Sequence, residues 1–83
     1  MKDNKNDENY IYYVIGQNLK KLQKNKGFTQ EKLTEISNYA LSFVGNLESD
    51  KVFQTISVGS LYYLVKILGI DIRALFAPIY EKM

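Results

Sequence analysis

Apolar residues recur along this chain with the period of an α-helix. Ile11, Ile15, Leu19 and Leu22 stand at i, i+4, i+8 and i+11, one face of a first helix. Gly27 stops that helix, and Lys24 and Lys26 lie near the negative end of its dipole. Thr29 offers its hydroxyl as N-cap of a short second helix over 30–37, which turns Leu33 and Ile36 inward. Asn38 tolerates the left-handed backbone that ends it. A third helix is predicted over 41–49. Its buried face centres on Val44, with Leu47, Ala40 and Glu48 beside it. Ser42, Asn46 and Ser49 point the opposite way, with Gly45 alongside. Residues 50–57 read as a loop; the stretch from Val52 to Ile56 has β-type composition, but no strand is expected there. Ser57 caps a fourth helix over 58–68, whose inward face is Val58, Leu61, Leu64, Val65 and Leu68, and Gly69 ends it. Asp71 caps a fifth, short helix over 72–77, stopped by Pro78. The pattern predicts an all-α fold, a compact five-helix domain over 10–83. Residues 1–9 are almost all polar, cannot bury a face and are expected to form a disordered arm.

Composition narrows the function classes. The chain has 83 residues, one small domain with a modest core. It contains neither Cys nor His, so disulfides, thiolate zinc sites and His-dependent catalysis are excluded. It has no Gly-rich phosphate loop. Glu31, Glu35, Glu48, Asp50 and Asp71 are accounted for as helix-surface or capping groups. A binding module is therefore expected rather than an enzyme, with no metal, cofactor or small-molecule ligand. The net charge is +2; the arm carries −1 (Lys2 and Lys5 against Asp3, Asp7 and Glu8), which leaves +3 on the body. No apolar run approaches the ~20 residues of a membrane span, and the polar N-terminus lacks a signal-type apolar core. A cytoplasmic protein with no membrane partner is expected.

Between Thr29 and Leu47 the chain reads helix, four-residue turn, helix. In a helix-turn-helix the second helix of such a pair enters a DNA major groove. Three stretches extend the likeness: IGQNLKKLQKNKGFTQEKLTEI over 15–36, FVGNLESDK over 43–51 and LVKILGIDIRALF over 64–76. With these, about three quarters of the chain resembles the phage-repressor-like (Xre/Cro/CI-type) helix-turn-helix regulators. The resemblance implies a lambda-repressor-like five-helix domain that binds a palindromic operator as a homodimer, with double-stranded DNA and a second copy as its partners. It places Thr29 and Gln30 at a phosphate contact opening helix 2, Gln30 bonding the phosphate with help from the backbone N–H groups there. It places Leu41, Ser42 and Asn46 at base-reading positions, Phe43 and Gly45 beside them, and Lys51 at a backbone contact in the following loop.

The chain departs from that family's pattern at four points. Ala40 stands where a capping Ser or Thr is usual. Asn38 replaces the turn glycine. The loop before helix 4 is longer and lacks a proline. The recognition helix carries no Lys or Arg, so the bidentate Arg–guanine contact cannot form. Base reading would then rest on Asn46 to adenine, on Ser42, on Leu41 or Phe43 against thymine methyls, and on DNA shape.

Several residues carry two readings at this point. Lys20, Lys21 and Lys24 share the outer stripe of helix 1 with Tyr13 and Gln17, either as a solvated face or as phosphate contacts. Gly45 is costly inside a helix, and reflects either close approach of DNA or a partner, or simple tolerance. Glu48 is read as structural, bonded to Gln23, at the position where the family pairs this acid with an Arg. Seven tyrosines are many for this length. Tyr39 is expected to fill an inter-helix slot, and Tyr10, Tyr12 and Tyr13 to extend helix 1. Tyr63 and Ile67 on helix 4, Ile72 and Phe76 on helix 5, and Ile79 and Tyr80 beyond Pro78 are read as a two-fold dimer surface. The expected function is a sequence-specific transcriptional regulator, similar to restriction–modification controller proteins or Cro-type repressors. The alternative is a protein-interaction module of the same fold, anti-repressor-like or antitoxin-like, with little DNA sequence reading.

Overall fold

Helix α1 spans Tyr10–Asn25 and starts without a side-chain cap on Asn9. The turn before it serves instead: the Tyr10 amide donates to Asp7 O at 2.9 Å and the Tyr12 amide to Asn9 O at 3.0 Å. The computed structural model describes residues 7–52 and 54–79. The disordered arm expected over 1–9 lies outside the described residues except for this turn. The buried stripe of α1 is Val14, Ile15, Gly16, Asn18, Leu19 and Gln23. Ile11, expected inward, is exposed, and Leu22 is half-buried. The stripe thus begins nearly a turn later than the apolar pattern indicates, and two amide side chains share it.

Glycine ends α1 as expected. Gly27 adopts φ +78°, the Gly27 amide donates to Lys24 O at 3.0 Å and the Phe28 amide to Gln23 O at 2.9 Å. This is the Schellman pattern, which satisfies carbonyls the helix leaves open. Gly69 repeats it after α4, with φ +68° and amides of Gly69 and Ile70 donating to Lys66 O and Val65 O.

Helix α2, Gln30–Ser37, is capped by Thr29, whose hydroxyl accepts from the Lys32 amide at 3.0 Å. It buries Leu33 fully, whereas Ile36 stays exposed. Asn38 ends it with φ 65°, and its amide donates to Thr34 O at 2.9 Å. Residues 38–40 lead into α3, Leu41–Leu47, which starts at the residue the sequence predicts. Ala40 offers no side-chain cap. The helix ends at Leu47 rather than at residue 49, because the last turn tightens: the Ser49 amide donates to Asn46 O at 3.2 Å. Val44 and Leu47 are buried, as the helical projection places them.

Helix α4, Val58–Leu68, begins at Ser57, whose hydroxyl accepts from the Ser60 amide at 3.2 Å. Leu61, Leu64, Val65 and Leu68 face the core, but Val58 is 76% exposed. It lies in the first turn, where the helix has not yet reached the other elements. The last element, Ile72–Phe76, is a 3-10 helix rather than the α-helix expected over 72–77. Asp71 caps it by accepting from the Arg73 amide at 2.9 Å, and hydrogen bonds from Arg73 hold the Asp71 carboxyl down at about 2. Two causes prevent a fuller helix. Pro78 drives Ala77 to extended backbone (φ −63°, ψ 142°), and Leu75 O and Ala77 O are both taken by Asn18.

The described residues therefore form four α-helices and one 3-10 helix, with no strand. Leu19, Leu33, Val44, Leu64 and Leu75, one from each element, have no exposed surface and mark the centre of the core. The Cα radius of gyration is 12.1 Å, as expected for a compact domain of about this length. No helix among the described residues is long and apolar enough to cross a membrane.

Candidate nucleic-acid interface

Helix α3 is held from behind by backbone contact. A Cβ on Gly16 would lie 1.8 Å from Leu47 O and 3.0 Å from Leu47 C, so only glycine lets α1 come this close to the end of α3. Gln17, the next residue of α1, donates from Nε2 to Glu48 O at 3.3 Å. The buried face of α3, Val44 and Leu47, completes the seat.

What α3 leaves outward is Leu41, Ser42 and Asn46. All are exposed, Leu41 by 47% despite its apolar side chain. Phe43 turns toward the core side instead, half-buried, its ring 5.2 Å from that of Tyr39. Gly45 is half-buried, and a Cβ there would meet Gln30 Oε1 at 3.7 Å, an ordinary contact. Nothing within the described chain demands glycine at that position. Lys51 is exposed in the loop after α3, where its amide donates to Ser49 Oγ at 2.9 Å. Thr29 is exposed, and its hydroxyl is engaged as the α2 cap.

Gln30 and α3 come together through Glu48. Gln30 Nε2 donates to Glu48 Oε1 at 3.0 Å, so the first side chain of α2 reaches across to the end of α3. Gln30 thus makes the short bond to Glu48, and the expected partner Gln23 contributes the weaker hydrogen-bonding influence on the same carboxyl. Glu48 is only 3% exposed, and its Oε2 has no hydrogen-bond partner, nor has Gln23 Oε1. Burial raises the Glu48 carboxyl above the usual carboxylate range, opposed by the Gln30 hydrogen bond, the charge of Lys20 and, least, hydrogen bonding from Gln23.

The lysines of α1 and Lys26, just after it, divide between two places. Lys20 is exposed and acts on Glu48, beside α3. Lys26 Nζ instead lies 3.9 Å from the Cβ position of Gly69, at the far end of α4. Lys21 and Lys24 are exposed.

The expected dimer residues are placed unevenly. Tyr63 is exposed, yet its hydroxyl donates to Ser37 O at 3.1 Å and its ring stands edge-on to Tyr39 at 5.8 Å. It braces α4 against α2. Ile67 and Ile72 are half-buried against the core, Ile79 is half-buried, and Phe76 is exposed. Tyr80 lies outside the described residues. Tyr62 is more exposed than Tyr63, with Lys66 Nζ 5.4 Å from its ring centre.

Three features escape an apolar-pattern reading. Gly16 is a glycine inside a long helix, the one sign of its role. Asn18 is a polar residue on an apolar stripe; buried, it donates from Nδ2 to Leu75 O and Ala77 O, both at 2.8 Å. The Gln30–Glu48 bond joins residues 18 apart and has no local signature. No protein-family model matches the chain, and neither curated proteins nor solved structures yield a significant match.

Proposed function

We propose that this chain is a DNA-binding transcriptional regulator of the helix-turn-helix kind. Helices α2 and α3 with residues 38–40 form the motif, and α3 enters the major groove. The supporting observation is the two-sided character of α3. Its inner side is fixed by Val44, Leu47 and the Gly16 contact, while Leu41, Ser42 and Asn46 stand free in solvent. A rigid helix with an uncommitted polar-and-methyl-binding edge is what base reading requires. The sequence likeness over 15–76 points the same way. Gln30, Lys51 and Lys20 supply the phosphate contacts around it. Two copies join through the outer side of α4 and the segment after it, setting two recognition helices about 34 Å apart. Such a protein works in the cytoplasm, without cofactor or catalysis.

A salt series tests the reading. Affinity for duplex DNA should fall with salt by about 0.9 log units per log unit for each phosphate neutralised. Lys51→Ala should reduce that slope by about 0.9 per subunit. Binding that ignores salt, or no binding, contradicts the proposal. The second reading, a protein-interaction module, draws on the absence of any cation on α3 and the exposure of Leu41. It gains if DNA binding is absent and Leu41→Ser abolishes capture of a protein partner.

A further inference from the structure

We infer that Glu48 is the positioning residue for Gln30, holding its amide where a DNA phosphate is met. The inference rests on the DNA-binding reading above.

Gln30 is the first residue of α2 and is half-buried, with a long side chain free to sample several rotamers. Glu48 removes that freedom. Its Oε1 accepts one of the two N–H groups of Gln30 Nε2 at 3.0 Å and leaves the other for an outside acceptor. A side chain ordered in advance loses less entropy on binding.

The anchor itself cannot swing. Glu48 is buried, its amide donates to Val44 O at 3.2 Å, and its carbonyl accepts from Gln17 Nε2. The residue before it, Leu47, is in backbone contact with Gly16. Glu48 thus transmits the position of α3 to the N-terminal end of α2. The arrangement does not require a charge. Oε2 is the oxygen without a partner, so a proton bound there leaves Oε1 an acceptor as before. A glutamine at position 48 offers the same acceptor through its own carbonyl.

The test measures affinity for mixed-sequence duplex DNA of about three helical turns at roughly 50 mM salt, where phosphate contacts dominate. The proteins are the wild type, Gln30→Ala, Glu48→Ala, Glu48→Gln and the double variant Gln30→Ala/Glu48→Ala, each checked for folding by circular dichroism. Gln30→Ala should lose about tenfold, the scale of one hydrogen bond to a charged group. Glu48→Ala should lose most of that, the double variant no more than Gln30→Ala alone, and Glu48→Gln should stay within about threefold of wild type. Additive losses, or a folded Glu48→Ala that binds like the wild type, overturn the inference. A second readout needs no DNA: the Gln30 side-chain amide resonances should move toward solvent-exposed positions in Glu48→Ala and stay in place in Glu48→Gln. If they respond in this way but the wild type binds no DNA, the DNA-binding reading fails while the contact stands. If they do not move, the positioning contact itself is wrong.

Discussion

Replacing Gly16 with alanine tests the packing that seats α3. The added Cβ would lie 1.8 Å from Leu47 O, where a carbon–oxygen contact normally needs about 3.3 Å. The obstacle is backbone, so no rotamer change relieves it, and α1 and α3 must part by about 1.5 Å. Alanine gains about 1 kcal/mol over glycine in helix propensity. Overpacking costs typically about 1–3 kcal/mol, and a clash with unyielding backbone falls at or beyond the upper end. The net expectation is a loss of about 2 kcal/mol, which lowers the midpoint of thermal unfolding by roughly 8–16 °C in a domain of this size. Gly59→Ala, in the first turn of α4, is the control, since nothing lies within 4 Å of its Cβ position. That variant should match or slightly exceed wild-type stability. The assay is thermal and urea unfolding of the three proteins side by side. A Gly16→Ala protein as stable as the Gly59→Ala control would refute the close approach and remove the fixed seat from the account of α3.

Three further outcomes follow from the same contacts. Asn18→Ala deletes two hydrogen bonds, at about 0.5–1.5 kcal/mol each, and should speed amide exchange through the 3-10 helix and α1 more than in α2; uniform protection would contradict that anchoring. Burial raises the folded-state pKa of Glu48 above its ordinary value of 4.5, so the folded state favours the proton. Its stabilising contribution is complete below the unfolded pKa and is lost as pH rises through the raised value. Urea unfolding should therefore show Glu48→Gln gaining on wild type from about pH 4.5 upward, whereas a gap independent of pH would argue against a desolvated carboxyl. Tyr63→Phe removes the hydroxyl bond to Ser37 O and should cost about 1 kcal/mol of stability while leaving the oligomeric state, read by sedimentation, unchanged.

The helix boundaries that depend on local chemistry were legible in the chain. Thr29, Ser57 and Asp71 cap as their side chains dictate, and Gly27, Asn38 and Gly69 take the left-handed backbone that ends a helix. Leu61, Leu64, Val65 and Leu68 face inward because their spacing matches the helical period. Periodicity misleads at first turns: Ile11 and Val58 lie on the right stripe but short of the point where other helices cover it. It is blind to buried amides such as Asn18 and Gln23, which an apolar count treats as surface. The 3-10 form of 72–76 depends on a side chain 57 residues away, from Asn18 to Leu75, and no local pattern carries that. At the candidate interface, the outward pair Ser42 and Asn46 follows from helix projection alone. Leu41 does not: it stands about 60° from Val44 on that projection, toward the buried side, and is exposed because it opens the helix. The lock of Gln30 onto Glu48 does not, because it requires knowing how α2 and α3 meet.

Selection from a random pool of duplex DNA by the purified protein at about physiological salt, followed by sequencing, shows whether α3 reads bases. A sequence-reading dimer enriches a palindrome whose half-sites are centred about one helical turn apart, and Asn46→Ala abolishes the enrichment. A pool that emerges unenriched, or is not retained at all, would contradict a sequence-reading dimer.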